Sequence, residues 1–367
     1  MKLWKRAAAA IKDRKSLLAV EFSRRTSYRN TDLEAAIIKA TSHDDSSVDY
    51  SNAHRVYKWI KASPLNMKTL IHSLSSRVNH TRSWIVALKS LMLLHGVLCC
   101  KVPSILAEIR RLPFDLSDFT DGHSCLSKTW GFNIFVRAYF AFLNNYSFFT
   151  SDHIHRSRAN LRLEKVDSVN QQLDRIQKLQ SLLDLILQIR PIADNMKRAL
   201  ILEAMDCIVL ESINIYGRIC NGIIKILPNA GKTDVAATLK IVNKATFQGE
   251  DLALYFEFCR GFGISNARDT PQFVSIPVAE VEAMEKMVRS VEKDEQKEEE
   301  VVVEEEKAIV LLEKPRLQTI ITDKWETFED DEYCFSEKAI QEYHQEPLPI
   351  VVSNQPVYYT MPDLITF

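Results

Sequence analysis

The sequence predicts an all-α protein, a right-handed α-solenoid of consecutive helical hairpins followed by a disordered acidic tail. Glycine is scarce, at 9 of 367 residues, and there are 12 prolines, so long helices are favoured. Apolar residues recur at helical spacing, and no stretch shows the alternation typical of strands. From Glu292 the composition changes to a charged run that cannot bury a core. The sequence therefore predicts a helical domain over residues 1–290 and a tail over residues 291–367.

The helix predicted over residues 80–100 is apolar on nearly every side. One face carries Trp84, Leu88, Leu91, Met92, His95 and Leu98, and the other carries Ile85, Val86, Leu93, Leu94 and Val97. Such a helix is buried by several neighbours, and this run is too short to span a bilayer. Burial should force Lys89 to pair or to extend toward solvent. His95 is predicted to be a hydrogen-bonded core histidine.

Three shorter helices are predicted before this central helix. The first begins with Thr31 as its N-cap, and Glu34 completes a capping box. After a polar connector, Ser51 or Asn52 is predicted to cap the second helix. The third begins at Ser63-Pro64-Leu65.

Further amphipathic helices follow, separated by short turns rich in proline, asparagine and glycine. They are predicted at residues 103–112, 130–146, 170–190, 192–227, 232–246, 249–262 and 276–291. Asn144-Asn145 is predicted to end the second helix of this series.

The net charge of −1 conceals a basic N-terminus and an acidic tail. The basic residues of the first 22 positions include Lys2, Lys5, Arg6, Lys12 and Lys15. They ring a helix whose Trp4 could lie at the headgroup level of a membrane, with the cations directed toward anionic lipid. Alternatively, this is a first solenoid helix whose apolar residues pack on its neighbour; these residues are Ile11, Leu17, Leu18 and Val20.

No common enzyme or cofactor pattern is present. The seven cysteines show no metal-binding spacing, and His95, Cys99 and Cys100 lack partners for a tetrahedral metal site. There is no nucleophile–base constellation, and Gly231-Lys232-Thr233 lacks the upstream glycine of a P-loop. We therefore predict no catalytic residue, no metal and no cofactor. Free cysteines without a signal peptide indicate a cytosolic protein.

Several segments, in order along the chain, carry a family resemblance. They are Ile38-Lys39-Ala40-Thr41-x-His43, Leu70-x3-Leu74-x2-Arg77, Trp84-x3-Leu88-Lys89-Ser90-Leu91 with His95, Phe132-x2-Phe135-Val136-x-Ala138-Tyr139-x3-Leu143, and Glu282-x-Met284-Glu285 after Ile276-Pro277. This series resembles the ANTH domain of phosphoinositide-binding clathrin assembly proteins, with a plant-type pattern. The resemblance covers about residues 1–290.

The resemblance implies a non-enzymatic adaptor that is cytosolic and peripheral on membranes. In the family, the ANTH solenoid binds phosphatidylinositol 4,5-bisphosphate, and the tail recruits clathrin heavy chain and the appendages of tetrameric adaptor complexes. Some members also bind vesicle SNAREs. The expected locations are clathrin-coated pits and vesicles, at the plasma membrane and the Golgi, and no nucleic acid partner is expected.

Two residues of this sequence match the family's lipid site, Lys39 and His54. The family has a lysine, nine residues and then a basic cluster ending in histidine, whereas fourteen residues separate Lys39 from His54 here. The cluster here contains no lysine, and Asp44, Asp45 and Asp49 lie in the connector. Each lost cation removes roughly 1 kcal/mol of attraction to an anionic surface. We therefore expect a weaker or less selective site.

Other cations are expected to assist this reduced site. They are Arg55 and Lys58 beside His54, and Lys2, Lys5, Arg6 and Lys12 at the N-terminus. The alternative is that Lys39 and His54 are ordinary surface residues.

Three short motifs in the tail resemble ligands of coat proteins. Trp325-Glu326-Thr327-Phe328 precedes a run of acids, and its two aromatic rings could fill paired pockets of an adaptor appendage. Ile309-Val310-Leu311-Leu312-Glu313 resembles a clathrin box, with isoleucine at the first position. Asp363-Leu364-Ile365 resembles the Asp-Leu-Leu motif for clathrin or adaptors, with one substitution.

Two alternatives to the lipid-binding adaptor remain open. One is a scaffold that keeps the ANTH fold, has lost lipid selectivity and holds SNARE or cargo helices in a groove. The missing basic cluster favours it, and the basic residues around Trp4 oppose it. The other is a nucleic-acid-binding helical protein, which lacks a recognisable reader motif.

Overall fold

The computed structural model describes residues 2–22, 30–122, 126–163, 168–229 and 234–268, together with 281–282 and 285–286. In these ranges the chain forms ten α-helices and no strand, which confirms the all-α prediction. The helices are α1 (Lys2–Phe22), α2 (Thr31–Ala40), α3 (Tyr50–Ala62), α4 (Asn66–Thr81), α5 (Trp84–Cys99), α6 (Pro103–Glu108), α7 (Leu126–Leu163), α8 (Val169–Leu187), α9 (Ala199–Ile226) and α10 (Val235–Phe262).

Most helices that follow one another in the chain pack together, as expected of a solenoid. α2 packs on α1, α3 and α4, whereas α8 packs on α7, α9 and α10. α5 packs on α4 and α7 and also contacts α9. Within the described residues, no helix is both long enough and apolar enough to cross a bilayer.

The central position predicted for α5 is confirmed by its burial. Every residue of this helix is buried except Ile85, Gly96 and Cys99. Lys89 is 1% exposed, and its Nζ donates to Ser42 Oγ at 3.2 Å. Burial lowers the pKa of Lys89, and the surrounding acids, led by Asp44, oppose that shift. Lys89 therefore pairs within the fold, the first of the two predicted outcomes.

The predicted N-caps of α2 and α3 are both wrong. The true cap lies one residue earlier for α2 and two or three residues earlier for α3. Asn30, not Thr31, caps α2, because Asn30 Oδ1 accepts from Leu33 N at 3.1 Å. Asp49, not Ser51 or Asn52, caps α3, because Asp49 Oδ1 accepts from Asn52 N at 3.0 Å. Asn and Asp are among the strongest N-caps, because their side-chain oxygens accept from backbone amides that have no partner within the first turn. Each helix therefore begins at the residue after its Asn or Asp cap.

α7 continues through Asn144-Asn145, where the sequence predicted a break. Asn144 Oδ1 accepts from the Leu112 backbone N at 3.2 Å, and Asn145 Nδ2 donates to Ala141 O at 2.8 Å. Both side chains therefore have partners that are compatible with a continuous helix. Asparagine disfavours helices because its side chain can hydrogen-bond nearby backbone groups in non-helical conformations. Here the two side chains bond Leu112 N and Ala141 O instead, so they do not compete with the helix.

α10 is likewise one helix, where the sequence predicted two with a break before residue 249. Gly249 lies inside it, and the Tyr216 side chain packs closely against this glycine. The Tyr216 hydroxyl donates to Ala245 O at 3.2 Å. The glycine thus permits a close helix contact and does not end the helix. Other bounds also differ from prediction; the largest of these differences are that α6 ends at Glu108, not at 112, and α9 begins at Ala199, not at 192.

The predicted helix over 276–291 lies almost entirely outside the described residues, apart from 281–282 and 285–286, which are helical. The predicted tail, 291–367, lies wholly outside them.

Two helical glycines test the packing of α5 against α3. A Cβ at Gly96 would lie 2.5 Å from Tyr57 Cζ, whereas a Cβ at Gly217 in α9 would meet nothing within 4 Å. We expect Gly96→Ala to destabilise the protein by about 1–3 kcal/mol, because the Tyr57 ring must move. Gly217→Ala should stabilise it by about 0.5–1 kcal/mol through helix propensity. Urea denaturation of both variants checks this, and equal effects of the two substitutions would contradict the packing described.

Candidate functional site

The candidate site lies at one end of the α2–α3 hairpin. Asn66 accepts a 3.4 Å hydrogen bond from Asn30 at the start of α2 and donates a 2.8 Å bond to Trp59 O near the end of α3. The two helices are therefore antiparallel, and the end of α2 lies beside the start of α3. Lys39 is exposed in the last turn of α2, and residues 41–49 form the loop that closes this end.

A largely buried ionic network holds this loop in place. The Asp13 carboxylate of α1 accepts from His43 N at 2.9 Å, from His43 Nδ1 at 2.8 Å and from Arg77 Nη2 at 2.5 Å. Arg77, near the end of α4, also donates to Thr41 O from Nε at 3.1 Å and from Nη2 at 2.8 Å. One carboxylate thus joins α1, the loop and α4 at the same end of the hairpin.

The electrostatics of this network favour an ionised Asp13. Burial by itself would raise the pKa of Asp13, but hydrogen bonds from His43 and Arg77 outweigh burial and lower it to about 2. His43, which belongs to the segment matching the family's lipid site, is 7% exposed. His43 therefore anchors the loop from inside and does not face a ligand at the surface.

The docking of Asp13 fixes which face of α1 points outward. Over residues 10–21, where the side chains of this helix are described, the half-buried residues recur at helical spacing and are Asp13, Ser16, Leu17 and Val20. The opposite face carries Ile11 and Leu18, which are 66% and 51% exposed. The interpretation that Ile11 and Leu18 pack on a neighbour is therefore wrong, whereas it holds in part for Leu17 and Val20. Large apolar side chains and cations share the outward face of α1.

The predicted lipid-site residues differ in how they are displayed. Lys12, Lys39, Arg55 and Lys58 are exposed, and Arg55 Nη1 donates to Asn52 Oδ1 at 3.4 Å. His54 is half-buried, and its Nδ1 is buried without a hydrogen-bond partner. For Lys2, Lys5 and Arg6 the structure describes the helical backbone but not the side chains.

The sequence reasoning missed one cation of this site, Arg14, whereas Lys15 was expected among the cations of this helix. Arg14 and Lys15 flank the Asp13 contact in α1 and are exposed, so docking of Asp13 brings them, with Lys12, to the loop end of the hairpin. The only signal in the sequence was a single acid, Asp13, within a basic run. Nothing local indicated that this acid lies inward.

The three loop acids are already bound to protein groups. Asp45 Oδ2 lies 2.5 Å from Arg198 Nη1 at the N-cap of α9, and Asp44 Oδ2 accepts from Ser46 Oγ at 2.6 Å. Asp49 caps α3. The expected repulsion of anionic lipid by these acids is thus partly offset, although an exposed pair such as Asp45–Arg198 is worth little.

α9 supports the loop at a second point. Glu203 Oε2 accepts from Val48 N at 3.0 Å and from the Tyr50 hydroxyl at 3.2 Å. The loop is therefore attached to α1, α4 and α9, and its ends are positioned by the solenoid.

Three side chains of the kinds that bind metal ions lie together away from this surface, between α5 and α9. One ligand atom from each of His95, Cys99 and Glu211 lies within 4.8 Å of the others. The sequence alone showed no further group beside His95 and Cys99, and the structure adds Glu211 from a distant helix. The predicted hydrogen bond of His95 is present, since His95 Nδ1 lies 2.7 Å from the Tyr139 hydroxyl.

Comparisons with known sequences identify the family of this chain. The family described as "ANTH domain" matches residues 32–290, more than half of the chain. The chain belongs to the ANTH domain family. Two Arabidopsis thaliana proteins, each named "Putative clathrin assembly protein", are 73% and 65% identical to it, with 100% of both chains covered in each case. A third of the same description is 46% identical and covers 79% of this chain and 83% of its own length.

The family resemblance is thereby confirmed, whereas the coat-binding motifs remain predictions. They lie outside the described residues and comprise Ile309, Leu312, Glu313, Trp325, Phe328, Asp363, Leu364 and Ile365.

Asp13→Asn tests the ionic network of this ANTH domain. The folded pKa of Asp13 is about 2, below its usual 3.8, so the carboxylate contributes stability above about pH 4 and loses it as the pH falls toward 2. The size of this shift corresponds to about 2 kcal/mol, and leaving Arg77 without its carboxylate adds to the loss, so we expect about 2–4 kcal/mol at pH 7.

Urea denaturation at pH 7 and at pH 3 measures this loss. Glu21→Gln, on an exposed position of the same helix, removes the same charge and should change stability little. The difference between Asp13→Asn and the native chain should be smaller at pH 3. A loss that is equal at both pH values, or equal in the two variants, would refute the role given to Asp13.

Proposed function

We propose that this protein is a clathrin assembly adaptor. Its helical domain binds phosphoinositide membranes, with phosphatidylinositol 4,5-bisphosphate as the expected lipid, and its tail recruits clathrin and adaptor complexes during vesicle budding. The family and the names of its relatives support the coat assignment. The observation that carries the membrane half is the outward face of α1, docked beside the loop end of the α2–α3 hairpin.

Two kinds of contact contribute to membrane binding in this proposal. Ile11 and Leu18 enter the boundary between headgroups and acyl chains, as the apolar face of an interfacial helix does. Arg14, Lys15 and Lys39 lie in the headgroup layer, where each cation is worth about 1 kcal/mol. A solenoid end that presents both binds an anionic membrane without a deep lipid pocket.

Head-group selectivity rests on side chains and not on helix-terminal amides. The first amides of α3 would suit a phosphate, but Asp49 already accepts from Asn52 N and places a negative charge there. Lys39 and His54 are therefore the residues proposed to contact the inositol phosphates, with Arg55 and Lys58 on the exposed side of α3. This arrangement favours modest selectivity added to a general affinity for anionic lipid.

The tail is proposed to act through several weak motifs in series. A clathrin-box-like motif, a W-x-x-F motif and a terminal Asp-Leu-Ile lie within about sixty residues of one another. Motifs that lie on one segment raise each other's effective concentration once one of them is bound. Membrane attachment of the helical domain would then hold the coat proteins at the bilayer.

Co-sedimentation of the full chain with liposomes tests the membrane half. Liposomes carry phosphatidylinositol 4,5-bisphosphate, phosphatidylinositol 4-phosphate or phosphatidylserine at matched charge. We expect Lys39→Glu to reduce the preference for the bisphosphate, and Ile11→Ser with Leu18→Ser to weaken binding to all three. Lys68→Glu, an exposed position at the start of α4, is the matched charge control and should bind normally.

The results of this experiment separate the competing interpretations. Binding that follows charge alone, and is lost only in the α1 variant, would place contact on α1 and remove the head-group role of Lys39. No binding to any liposome would overturn the membrane half. Binding of an isolated SNARE helix in that case would identify the scaffold alternative.

Capture of purified adaptor appendages by the full chain tests the tail. Trp325→Ala with Phe328→Ala should reduce capture at least about tenfold, because paired aromatic anchors dominate such peptide contacts. Tyr358→Ala with Met361→Ala, in the same tail, is the control and should leave capture unchanged. Undiminished capture by the Trp325/Phe328 variant would exclude this motif.

A further inference from the structure

Two helices from different parts of the chain place side chains of the kinds that bind metal ions opposite one another. His95 and Cys99 are one turn apart on α5, and Cys207 and Glu211 are one turn apart on α9. Residues four apart share one face of a helix, and α5 contacts α9. The fold therefore brings potential ligands from both helices to one contact.

The distances within this cluster suit a common ligand. Glu211 Oε2 lies 3.7 Å from His95 Nε2 and 4.0 Å from Cys99 Sγ. His95 is 3% exposed, Glu211 is fully buried and Cys99 is half-buried. Cys207 lines the same cavity as His95 and Cys99, a small space of about 40 Å³. The ligand atoms of His95, Cys99 and Glu211 all lie within 4.8 Å of one another, and zinc would draw them to its usual ligand distances of about 2.0–2.3 Å.

The groups behind the ligands are arranged as around a metal site. The His95 Nδ1 lies 2.7 Å from the Tyr139 hydroxyl, which fixes the ring and leaves Nε2 directed at Glu211. His95 Nε2 is buried and has no hydrogen-bond partner. The other oxygen of Glu211 accepts from Asn214 Nδ2 at 3.1 Å. Outer partners of this kind orient the ligands of metal sites.

We propose that His95 Nε2, Cys99 Sγ and the Glu211 carboxylate bind a zinc ion. The mixture of imidazole, thiolate and carboxylate suits zinc, whereas calcium and magnesium prefer oxygen ligands alone. On binding, the Cys99 thiol gives its proton to solvent and the thiolate joins the metal. The neutral imidazole supplies the lone pair of Nε2.

The bound ion would connect α5, at the centre of the solenoid, to α9, and so stabilise the contact between distant parts of the chain.

Metal analysis of the full chain tests the proposal. The chain is purified without chelator, incubated with zinc, desalted and analysed for bound metal. We expect one zinc per chain, strongly reduced in Cys99→Ser and in His95→Gln. Cys100→Ser is the matched control, since Cys100 is the adjacent half-buried thiol outside the cluster, and it should retain zinc.

A second measurement on the native chain avoids any dependence on the folding of variants. Mass spectrometry follows alkylation of each thiol with and without zinc. Zinc should slow alkylation of Cys99 at least about tenfold relative to Cys100, and cobalt should produce a thiolate charge-transfer band at one equivalent. Equal protection of Cys99 and Cys100, or no stoichiometric metal uptake by the native chain, would overturn the proposal.

Discussion

The Asp13 carboxylate, held between His43 and Arg77, determines the arrangement of the candidate membrane surface. It joins α1, the loop after α2 and the end of α4 through bonds of 2.5–2.9 Å. Because a helix turns by about 100° per residue, one fixed side chain sets the rotation of the entire helix. With Asp13 inward, Ile11 and Leu18 must point outward. The outward apolar face is thus a consequence of the ion pair.

The solenoid behind this surface keeps the loop in position. Thr41, Asp45 and Val48 of the loop bind side chains of α4 or α9, so the connector is held along its length. These contacts also use charges that would otherwise repel an anionic surface or need a counterion. Under the proposed function, the site combines a rigid support, which limits the entropy lost on binding, with a low number of headgroup cations.

The features that the sequence predicted well are those encoded by local patterns. α5 was recognisable because its apolar residues cover every side of one continuous helix, and burial of Lys89 and His95 follows from that. The exposure of Lys39, Arg55 and Lys58 follows equally from charge. The family resemblance rested on residues in this core, which explains why it could be recognised from one sequence.

The features that the sequence did not predict depend on distant partners. Asn144 stays inside α7 because its side chain binds an amide 32 residues away, and His43 is buried because its partner lies 30 residues away on α1. Glu211 reaches Cys99 across 112 residues. The caps of α2 and α3 were misplaced for a more local reason. Several candidate capping residues lie close together in the sequence, and the true caps, Asn30 and Asp49, come one and two or more residues before the predicted ones.

The most direct test of the account is the environment of two adjacent positions of α1 on the membrane. An environment-sensitive fluorescent amino acid is incorporated at position 18 or at position 17 of the full chain, and its emission is recorded with vesicles containing phosphatidylinositol 4,5-bisphosphate. The account predicts a shift to an apolar environment at position 18, which points outward, and none on vesicle binding at position 17, which faces the solenoid. A shift at position 17 without one at position 18 would contradict the rotation of α1 that Asp13 imposes.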